Sequence, residues 1–430
     1  MKGRRAAWCL ACLLLVLTAC GGEMVPPAPE GPEIPPVEGA QDPPELPGED
    51  GEAGGDGETG EDEEPAGPVE AALREELEGM SLEAKVGQLF FVRCPAENAV
   101  EDVLTYHLGG YILFGRDTQD VTANGLIQAI ASYQGAAARQ DRAIPLLIGV
   151  DEEGGTVVRV SSNPKLRDKK FSSPRKLWQQ GEDGLLAVEA EARERSILLK
   201  ALGFNVDLAP VADVSEDPGD FIYDRTIGED AQAVSAYVQR VVEVQSRCGL
   251  GSVLKHFPGY GDNEDTHTGA AVDSRPVETF LERDFLPFQA GFAAGAASPP
   301  MPAVLVSHNI VECMDPELPA SLSPEVHRVL REDLGFGGVV MTDDLAMEAV
   351  SRYAAGGDAA VLSLQAGNDL VVTSDYRTQI PRTIQAVKDG TLEEERIDEA
   401  CLRVLRWKVE LGLLELTEDG GLEPAGALRG

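Results

Sequence analysis

The chain has 430 residues, and its 74 acidic residues outnumber the 36 basic ones, which gives a formal net charge of −38. An acidic protein repels phosphate-rich surfaces, so this charge disfavours nucleic acid and the anionic face of a bilayer as partners. We therefore expect no nucleic-acid partner, and the charge says nothing about the fold.

The first twenty residues have the organisation of a secretion signal. Lys2, Arg4 and Arg5 precede an apolar run over residues 6–17, which ends in Leu-Thr-Ala-Cys at Cys20. The run is too short to span a bilayer as a stable helix, so an uncleaved membrane anchor is the weaker interpretation. The residues before Cys20 resemble the lipobox of bacterial lipoproteins, which implies that Cys20 carries a lipid. Either interpretation predicts an extracytoplasmic protein anchored to the cell membrane.

Residues 21–68 form a second region, rich in Pro, Gly, Glu and Asp and almost free of large apolar side chains. Such a composition cannot bury enough surface to offset the entropy of ordering, so we predict a disordered tether. Residues 69–430 contain no further low-complexity break and are predicted to form one folded domain. A single domain of this length is typical of an α/β barrel.

Four of the seven cysteines lie in the folded region, at Cys94, Cys248, Cys313 and Cys401. They are far apart and include no CxxC pair, so we predict buried thiols or at most one incidental disulfide. This spacing indicates neither a zinc site nor a redox motif.

Eight short apolar runs rich in β-branched residues recur along the folded region. They cover residues 86–92, 110–114, 145–150, 205–208, 252–254, 303–306, 338–341 and 370–373. Helical segments such as residues 185–202 and 231–247 separate the runs, as a parallel sheet requires. This alternation predicts a (β/α)8 barrel of the TIM type, with an open doubly wound sheet as the alternative. A helix over residues 393–413 is predicted to close the domain, followed by a loose tail over residues 415–430.

Polar side chains follow several runs at the point where each run ends. Asp151 ends the third run, Lys255 and His256 end the fifth, residues 307–309 end the sixth, and residues 342–344 end the seventh. In a parallel barrel these ends meet at one mouth, where the chemistry of such folds takes place. We therefore expect these side chains to lie around a single pocket.

A loop follows the fifth run, with the sequence KHFPGYGDNEDTHTG over residues 255–269. Its glycines, proline and polar residues cannot continue a strand or a helix. Asp265 and His267 are two residues apart, so the carboxylate can bind one ring nitrogen and leave the other to transfer a proton. The pair is a candidate acid/base dyad, with a solvated loop histidine as the alternative for His267.

This loop resembles the KHFPGxG…DxH signature of glycoside hydrolase family 3, specifically its β-N-acetylglucosaminidase branch. In that branch the final histidine is the general acid/base and the aspartate orients its ring, so the resemblance implies these roles for His267 and Asp265. Two differences bear on the shape of the loop. Tyr260 stands where many members have histidine, and the loop is one residue shorter than in many of them.

A second block, GGVVMTDDLAM over residues 337–347, resembles the nucleophile motif of the same family. The aspartate directly after Ser or Thr attacks the sugar in that family, which implies that Asp343 is the nucleophile. A retaining glycosidase needs such a carboxylate on the face opposite the leaving group. The neighbouring Asp344 is the rival, and a structural acid at a helix start is the simpler interpretation for it.

A third block, DEEGGTVVR over residues 151–159, resembles the DxEGGxVxR block of the family. The resemblance implies that Asp151 and Arg159 contact sugar hydroxyls, and the paired glycines let the backbone approach a ring closely. Thr156 replaces an arginine that is often found there.

The resemblance also implies that Arg225, Lys255 and His256 bind substrate, with a structural ion-pair network as the alternative. Asp207 and Asp213 are expected to brace the end of the fourth strand. The similarity extends from residues 80–90 to residues 395–398, so it covers nearly all of the folded region.

The resemblance implies a retaining exo-β-N-acetylglucosaminidase that needs no metal and no cofactor. His267 would protonate the leaving oxygen while Asp343 attacks the anomeric carbon, and water, or conceivably phosphate, would then release the sugar. A β-glucosidase or β-xylosidase of the same family and a non-catalytic sugar-binding lipoprotein are the alternatives. A metal-dependent hydrolase with ligands His256, Asp265 and His267 is a further one, although no HExxH spacing supports it.

The expected location limits the range of natural substrates. For a lipoprotein that faces the cell wall, we expect a cell-wall amino sugar as substrate, in the form of GlcNAc-MurNAc fragments from peptidoglycan turnover. The protein is expected to be a monomer that contacts the membrane only through the lipid on Cys20.

Overall fold

Eight short parallel strands form a ring in the computed structural model, which describes residues 67–261, 263, 271–347, 350, 353 and 358–426. The strands are β1 (Phe90–Arg93), β2 (Gly110–Leu113), β3 (Leu147–Val150), β4 (Val206–Asp207), β5 (Gly251–Phe257), β6 (Ala303–Val306), β7 (Val340–Thr342) and β8 (Val371–Thr373). Consecutive strands pair in order, and β8 lies beside β1. A parallel bridge between Met341 and Leu370 joins β7 to β8 and closes the ring. The predicted (β/α)8 barrel is therefore confirmed.

Helices alternate with these strands and cover the outside of the ring. The α-helices of the described residues are Pro68–Glu78, Leu82–Gln88, Ala99–Tyr106, Gly115–Thr118, Ala123–Ala137, Pro174–Trp178, Gly184–Leu202, Ala231–Arg247, Val277–Thr279, Phe285–Ala297, Pro324–Arg328, Ala359–Ala366, Tyr376–Lys388 and Glu394–Glu410. Two short strands outside the ring, Val272–Asp273 and Ile310–Val311, pair with each other in parallel.

The helix Ala231–Arg247 shows how the sequence produces these elements. The Asp230 side chain caps it by accepting a hydrogen bond from the backbone N–H of Ala233 at 2.9 Å. Buried residues then recur at helical spacing, at Val234, Val238, Val241, Val242 and Gln245. Each buried valine stabilises the fold by roughly 1.5–3 kcal/mol. The helix predicted for residues 231–247 is confirmed.

The ring strands are apolar on both faces because helices cover the outside and side chains fill the inside. All four residues of β2, β3 and β6 are buried. Gly149 in β3 makes room for Phe91, since a Cβ at this glycine would lie 2.4 Å from the Phe91 Cζ atom. This close approach explains a glycine in the middle of an otherwise bulky strand.

The first predicted strand, residues 86–92, was wrong over most of its length. Leu82–Gln88 is a helix, and β1 begins only at Phe90. The Ser81 side chain accepts a hydrogen bond from the backbone N–H of Ala84 at 3.2 Å, which caps this helix. The cap and the helix formers Leu, Glu, Ala and Lys therefore outweigh the apolar run that follows.

The predicted loose tail was also wrong in part. Leu414–Leu416 pairs with Leu422–Pro424 as an antiparallel hairpin. Thr417 closes the turn, because its backbone N–H donates to the Gly421 carbonyl at 2.9 Å and its Oγ1 accepts from the Gly421 N–H at 2.9 Å.

Cys94, Cys248, Cys313 and Cys401 are free thiols. Cys94 and Cys401 are buried as predicted, whereas Cys248 is half-buried and Cys313 is exposed. No disulfide joins any of the four.

Residues 1–66 lie outside the described residues, so the signal, the tether and the lipid on Cys20 stay predictions, as do the boundaries at residues 20 and 68. All described residues belong to one compact unit, Glu63–Gly430. Within the described ranges, no helix has both the length and the apolar character needed to cross a membrane.

Candidate active site

Five residues predicted to form the site lie at the carboxyl ends of barrel strands or in the loops that follow them. Asp151 comes directly after β3, Lys255 and His256 lie in β5, and Asp343 comes directly after β7. Arg225 ends a short 3-10 turn between β4 and the next helix. Because the carboxyl ends of parallel strands open on one face of a barrel, these residues share one mouth.

Two acids after β3 hold the cations of this mouth. Lys255 Nζ lies 2.7 Å from Asp151 Oδ1 and 2.7 Å from Glu153 Oε1. The Glu153 carboxylate also accepts hydrogen bonds from Arg225 Nε at 3.0 Å and Nη2 at 2.8 Å. Burial opposes both charges, but Arg225 and Lys255 hold the pKa of Glu153 well below its usual range, and Asp151 and Glu153 raise the pKa of Lys255. Glu153 therefore stays ionised and Lys255 protonated at neutral pH.

His256 is held between the Asp213 carboxylate and the Arg225 guanidinium. Its Nδ1 lies 2.7 Å from Asp213 Oδ2, and its Nε2 lies 3.2 Å from Arg225 Nη2. Because a guanidinium only donates, Nε2 must accept and Nδ1 must carry the proton that Asp213 accepts. Asp213 also accepts hydrogen bonds from the backbone N–H groups of His256 at 3.1 Å and Tyr260 at 2.7 Å. Asp213 thus fixes both the tautomer and the position of His256.

A bulge in β5 lets two consecutive residues serve the same pocket. Lys255 pairs with Leu305 and Phe257 pairs with Val306, so the register shifts between them and His256 has no partner on β6. Neighbouring residues of a regular strand point to opposite faces, whereas a bulge redirects a side chain. Lys255 therefore reaches the acids after β3 while His256 reaches Asp213 and Arg225.

Asp343 occupies the end of β7 in an environment that favours its ionised form. Its backbone N–H donates to the Val306 carbonyl at 3.0 Å, and its Oδ1 accepts from the Asp344 N–H at 2.8 Å. Burial opposes ionisation, but the electrostatic influence of His308, His256 and Lys255, with the hydrogen bond from the Asp344 N–H, lowers the pKa of Asp343 below its usual value. The carboxylate is therefore available as a base or a nucleophile at neutral pH.

Asp344, the rival acid, plays a different part. Its Oδ1 accepts a hydrogen bond from the Ala346 N–H at 3.0 Å, and burial raises its pKa. Its carbonyl oxygen lies 3.1 Å from His308 Nε2, and Nδ1 of the same ring lies 2.7 Å from Ser321 Oγ. Since a carbonyl oxygen only accepts, Nε2 of His308 carries a proton and holds the peptide that follows Asp344. Asp344 thus shapes the turn that follows β7.

The loop that carries Arg159 is organised by a second buried acid, Glu152. Its carboxylate accepts the backbone N–H groups of Arg159 at 2.8 Å, Val160 at 2.7 Å and Ser161 at 3.1 Å. The Arg159 guanidinium itself lies 6.0 Å from the centroid of the Phe114 ring. Its Nε is buried and has no hydrogen-bond partner among the residues that the structure describes.

The structure therefore brings Asp151, Arg225, Lys255 and His256 into one hydrogen-bonded network, and His256 and Lys255 both influence the pKa of Asp343. Arg159 lies apart from that network, beside Phe114. The predicted dyad, Asp265 and His267, lies outside the described residues, as does Cys20, so their roles stay predictions.

The sequence analysis did not identify Glu153 and Asp213 as positioning residues, whereas His308 was expected at the mouth without a stated role. Glu153 lies inside the DEEGG block, and two cations assigned to one pocket require a buried counter-ion, so the signal was present. Asp213 was expected only to brace the fourth strand end, yet it binds His256 directly. Asp207 has the structural role that was expected of it. It binds Arg195 and Gln245 at 3.1 and 2.9 Å, and it contacts no cation of the pocket within hydrogen-bond distance.

The described residues contain no group of three His, Cys, Asp or Glu side chains suited to hold a metal ion. His256, one ligand of the metal-dependent alternative, has both ring nitrogens engaged by Asp213 and Arg225. Coordination by this histidine would break one of those hydrogen bonds.

The sequence matches a protein-family model, the "Glycosyl hydrolase family 3 N terminal domain", over residues 81–407. Among curated proteins it is similar to "Beta-hexosaminidase LpqI" of Mycobacterium tuberculosis, with 33% identity over 341 residues, which cover 76% of this chain and 83% of that protein.

Solved structures give the same result. The glycoside hydrolase family 3 β-N-acetylglucosaminidase from Paenibacillus sp. str. FPU-7 is 29% identical with a TM-score of 0.70, and the match covers 81% of this chain and 67% of that one. The β-N-acetylhexosaminidase from Beutenbergia cavernae is 29% identical with a TM-score of 0.68, and covers 77% of this chain and 99% of its own.

Proposed function

The chain belongs to glycosyl hydrolase family 3, and on that premise we propose that this glycoside hydrolase is a retaining exo-β-N-acetylglucosaminidase. Its substrate is a terminal β-linked N-acetylglucosamine. The relatives named above carry β-hexosaminidase or β-N-acetylglucosaminidase in their names. The observation that carries the proposal is the position of Asp343 at the end of β7, at a mouth whose cations are already held by protein acids.

In this mechanism Asp343 attacks the anomeric carbon from one face of the sugar, and a glycosyl-enzyme forms. His267, oriented by Asp265, gives a proton to the leaving oxygen and later activates the water that releases the sugar. The motif match of residues 255–269 supports these two roles.

The mouth offers both hydrogen-bond donors and hydrogen-bond acceptors to a sugar. Asp151 uses Oδ1 for Lys255, and within the described ranges its Oδ2 has no hydrogen bond, so this oxygen is available to a sugar hydroxyl. Lys255 and Arg225 donate, and the Arg159 Nε is a buried donor without a partner in the described part of the chain. A sugar ring that presents hydroxyls as donors and acceptors satisfies such a set.

Turnover of 4-nitrophenyl N-acetyl-β-glucosaminide by two matched variants tests the proposal. Asp343→Asn should lower kcat at least about a thousandfold, because the covalent step needs the carboxylate. Asp344→Asn should cost about tenfold or less, since Asp344 acts through the turn. Equal losses, or loss only in Asp344→Asn, would overturn the assignment of the nucleophile.

Two further measurements address the alternatives. Proton NMR of the first-formed product should show the β-anomer, and an α-anomer would exclude retention. Rates on the matching β-glucoside and β-xyloside should be much lower than on the glucosaminide. The same assay with added phosphate should yield free N-acetylglucosamine rather than its 1-phosphate.

We further propose that the natural substrates are GlcNAc-MurNAc fragments of peptidoglycan and that the protein acts outside the cytoplasm, anchored by a lipid on Cys20. The arrangement of residues 1–20 supports this location. Release of N-acetylglucosamine from purified GlcNAc-MurNAc is the direct test, and an enzyme that cleaves only glucosides would contradict it.

A further inference from the structure

Two described stretches of chain border residues 264–270, which include the proposed acid/base His267. Residues 258–261 with Asn263 form the entry end, directly after β5, and residues 271–275 form the exit end. The exit end includes the short strand Val272–Asp273, whose partner Ile310–Val311 follows β6. Because β5 and β6 are neighbours in the ring, both ends lie on the same side of the barrel mouth.

Arg275 joins these two ends with one side chain. Its Nη2 donates to the Gly259 carbonyl of the entry end at 3.1 Å and to Asp273 Oδ2 of the exit end at 2.6 Å. Its Nε donates to Asp273 Oδ1 at 2.9 Å, and its Nη1 donates to Asp284 Oδ2 at 3.1 Å. The guanidinium also packs on Phe280, with its Cζ 4.6 Å from the ring centroid. All three nitrogens are therefore engaged, which the single nitrogen of a lysine could not reproduce.

Asn263 makes a second connection between the ends. Its Nδ2 donates to the Tyr260 carbonyl at 2.7 Å and to Asp273 Oδ2 at 2.7 Å. Asn263 and Asp273 are only 8% and 2% exposed, so these hydrogen bonds are shielded from water and strengthened by the low dielectric around them. Asp273 thus accepts from both Arg275 and Asn263, and it is the residue through which the exit end is held to the entry end.

The backbone of the entry end lies directly against this cluster. A Cβ at Gly261 would lie 2.3 Å from the Arg275 Cζ, and a Cβ at Gly259 would lie 2.6 Å from the Asp284 Cβ. Both glycines also have positive φ angles, of 57° and 130°. The contact between Arg275 and the entry end therefore requires glycine at both positions.

The entry end is held from the sugar site as well. Asp213 accepts a hydrogen bond from the Tyr260 N–H at 2.7 Å and binds His256 Nδ1 at 2.7 Å. The entry end therefore lies between the acid that positions His256 and the Arg275 cluster.

We propose that Arg275 is a positioning residue for proton transfer to the leaving group, because it fixes both ends of the segment that carries His267. This inference rests on the proposed function and deepens it. A proton donor is effective only when it is aligned with the leaving oxygen, and fixing both ends of a short segment removes freedom that would otherwise be lost on alignment. Loss of the Arg275 contacts should therefore weaken proton donation more than it weakens attack by Asp343.

Aryl glucosaminides with different leaving groups isolate proton donation. A dinitrophenolate departs without a proton, whereas a phenolate departs much faster when an acid protonates it. We expect Arg275→Lys to lower kcat/KM for phenyl N-acetyl-β-glucosaminide about tenfold more than kcat/KM for the 2,4-dinitrophenyl glycoside, as partial loss of general acid catalysis predicts. Asn263→Ala removes no charge and should change this ratio in the same direction.

Arg331→Lys is the matched control. The Arg331 side chain is 19% exposed and that of Arg275 is 15% exposed. Arg331 likewise binds an acid, Asp369, and donates to backbone carbonyls, those of Phe336 at 2.8 Å and Gly338 at 2.6 Å. These partners precede β7 and β8, so this cluster lies at the end of the barrel opposite the mouth. The ratio of kcat/KM for the two glycosides should equal the wild-type ratio in this variant.

The outcomes separate the positioning role from the proposed activity. An Arg275→Lys protein that unfolds cooperatively on heating, yet loses kcat/KM equally on both glycosides or on neither, would overturn the positioning role. If Arg275→Lys does not fold, the ratio in Asn263→Ala decides the question by the same criterion. If the wild type hydrolyses neither glycoside, the proposed function fails and the role of Arg275 fails with it.

Discussion

Glu153 binds Lys255 and Arg225 with a single carboxylate, through contacts of 2.7, 2.8 and 3.0 Å. The two cations come from different segments of the chain, β5 and the turn after β4. One buried acid thus fixes the distance between two residues that are proposed to bind the same sugar. The position of these cations therefore depends on a buried residue that is not itself proposed to bind the sugar.

We therefore expect Glu153→Gln to lower both stability and affinity. Loss of a buried charge partner should cost about 3 kcal/mol of unfolding free energy, because Lys255 and Arg225 stay buried with one acid fewer. The value of KM should rise as the cations move. Denaturant unfolding and steady-state kinetics measure the two effects.

The matched control is Glu189→Gln, at the half-exposed pair with Arg240. This change should alter stability by less than about 1 kcal/mol, as for other surface pairs. If the two variants unfolded alike, Glu153 would not be the structural centre of the network.

Asp213→Asn should disturb His256 without removing any proposed substrate contact. An asparagine offers one acceptor oxygen where Asp213 now accepts from the His256 ring, the His256 N–H and the Tyr260 N–H. We expect kcat/KM to fall roughly ten- to a hundredfold, in line with the loss of a charge-assisted hydrogen bond. Nitrogen-15 spectra of labelled histidine should show that the Nδ1-protonated tautomer is no longer dominant. A loss of activity with an unchanged tautomer would contradict this account.

Lys408 is expected to make stability depend on pH. It is fully buried, and its Nζ donates to Gln88 Oε1 at 2.6 Å and to the Gly109 carbonyl at 3.0 Å. Burial lowers the pKa of Lys408 from 10.5 to about 7. Between these two values the unfolded chain binds more protons than the folded one, so folding becomes more favourable as pH rises.

Comparison with Lys408→Met isolates this contribution. The unfolding free energy of the wild type minus that of the variant should increase between pH 7 and pH 10, and should be level below pH 6. Urea unfolding at several pH values gives the difference. A difference that is constant over this range would show that Lys408 stays protonated in the fold.

Cys20→Ala tests the proposed anchor. If Cys20 carries a lipid, the wild-type protein should sediment with membranes and the variant should not. Both forms should show the same specific activity toward the nitrophenyl substrate, since Cys20 precedes the barrel domain, whose first helix is Pro68–Glu78. If the variant stayed on membranes, the anchor would instead be the uncleaved apolar segment formed by residues 6–17.

The barrel could be predicted from the sequence because its strands are buried on both faces and read as short continuous apolar runs. Seven of the eight runs overlap the observed strands closely, from β2 to β8. The first failed because the run at residues 86–92 overlaps a short helix, which is indicated by the Ser81 cap and the helix formers after it. The hairpin near the end was missed because two strands of three residues carry too little pattern.

The candidate site was likewise predictable only in part. Motifs located Asp151, Arg225, Lys255 and Asp343, since the ends of barrel strands and the family blocks coincide. The partners of these residues could not be assigned, because the pairing of Glu153 with Arg225, or of Asp213 with His256, depends on how separate loops meet in space.

The network around Lys255 has a consequence for the thermodynamics of sugar recognition. Lysine and arginine side chains lose much rotational freedom when a ligand immobilises them, which weakens binding. In this protein Asp151, Glu153 and Asp213 immobilise Lys255, Arg225 and His256 during folding. A sugar that enters the mouth therefore meets donors that are already rigid, and its affinity is reduced little by the ordering of the pocket.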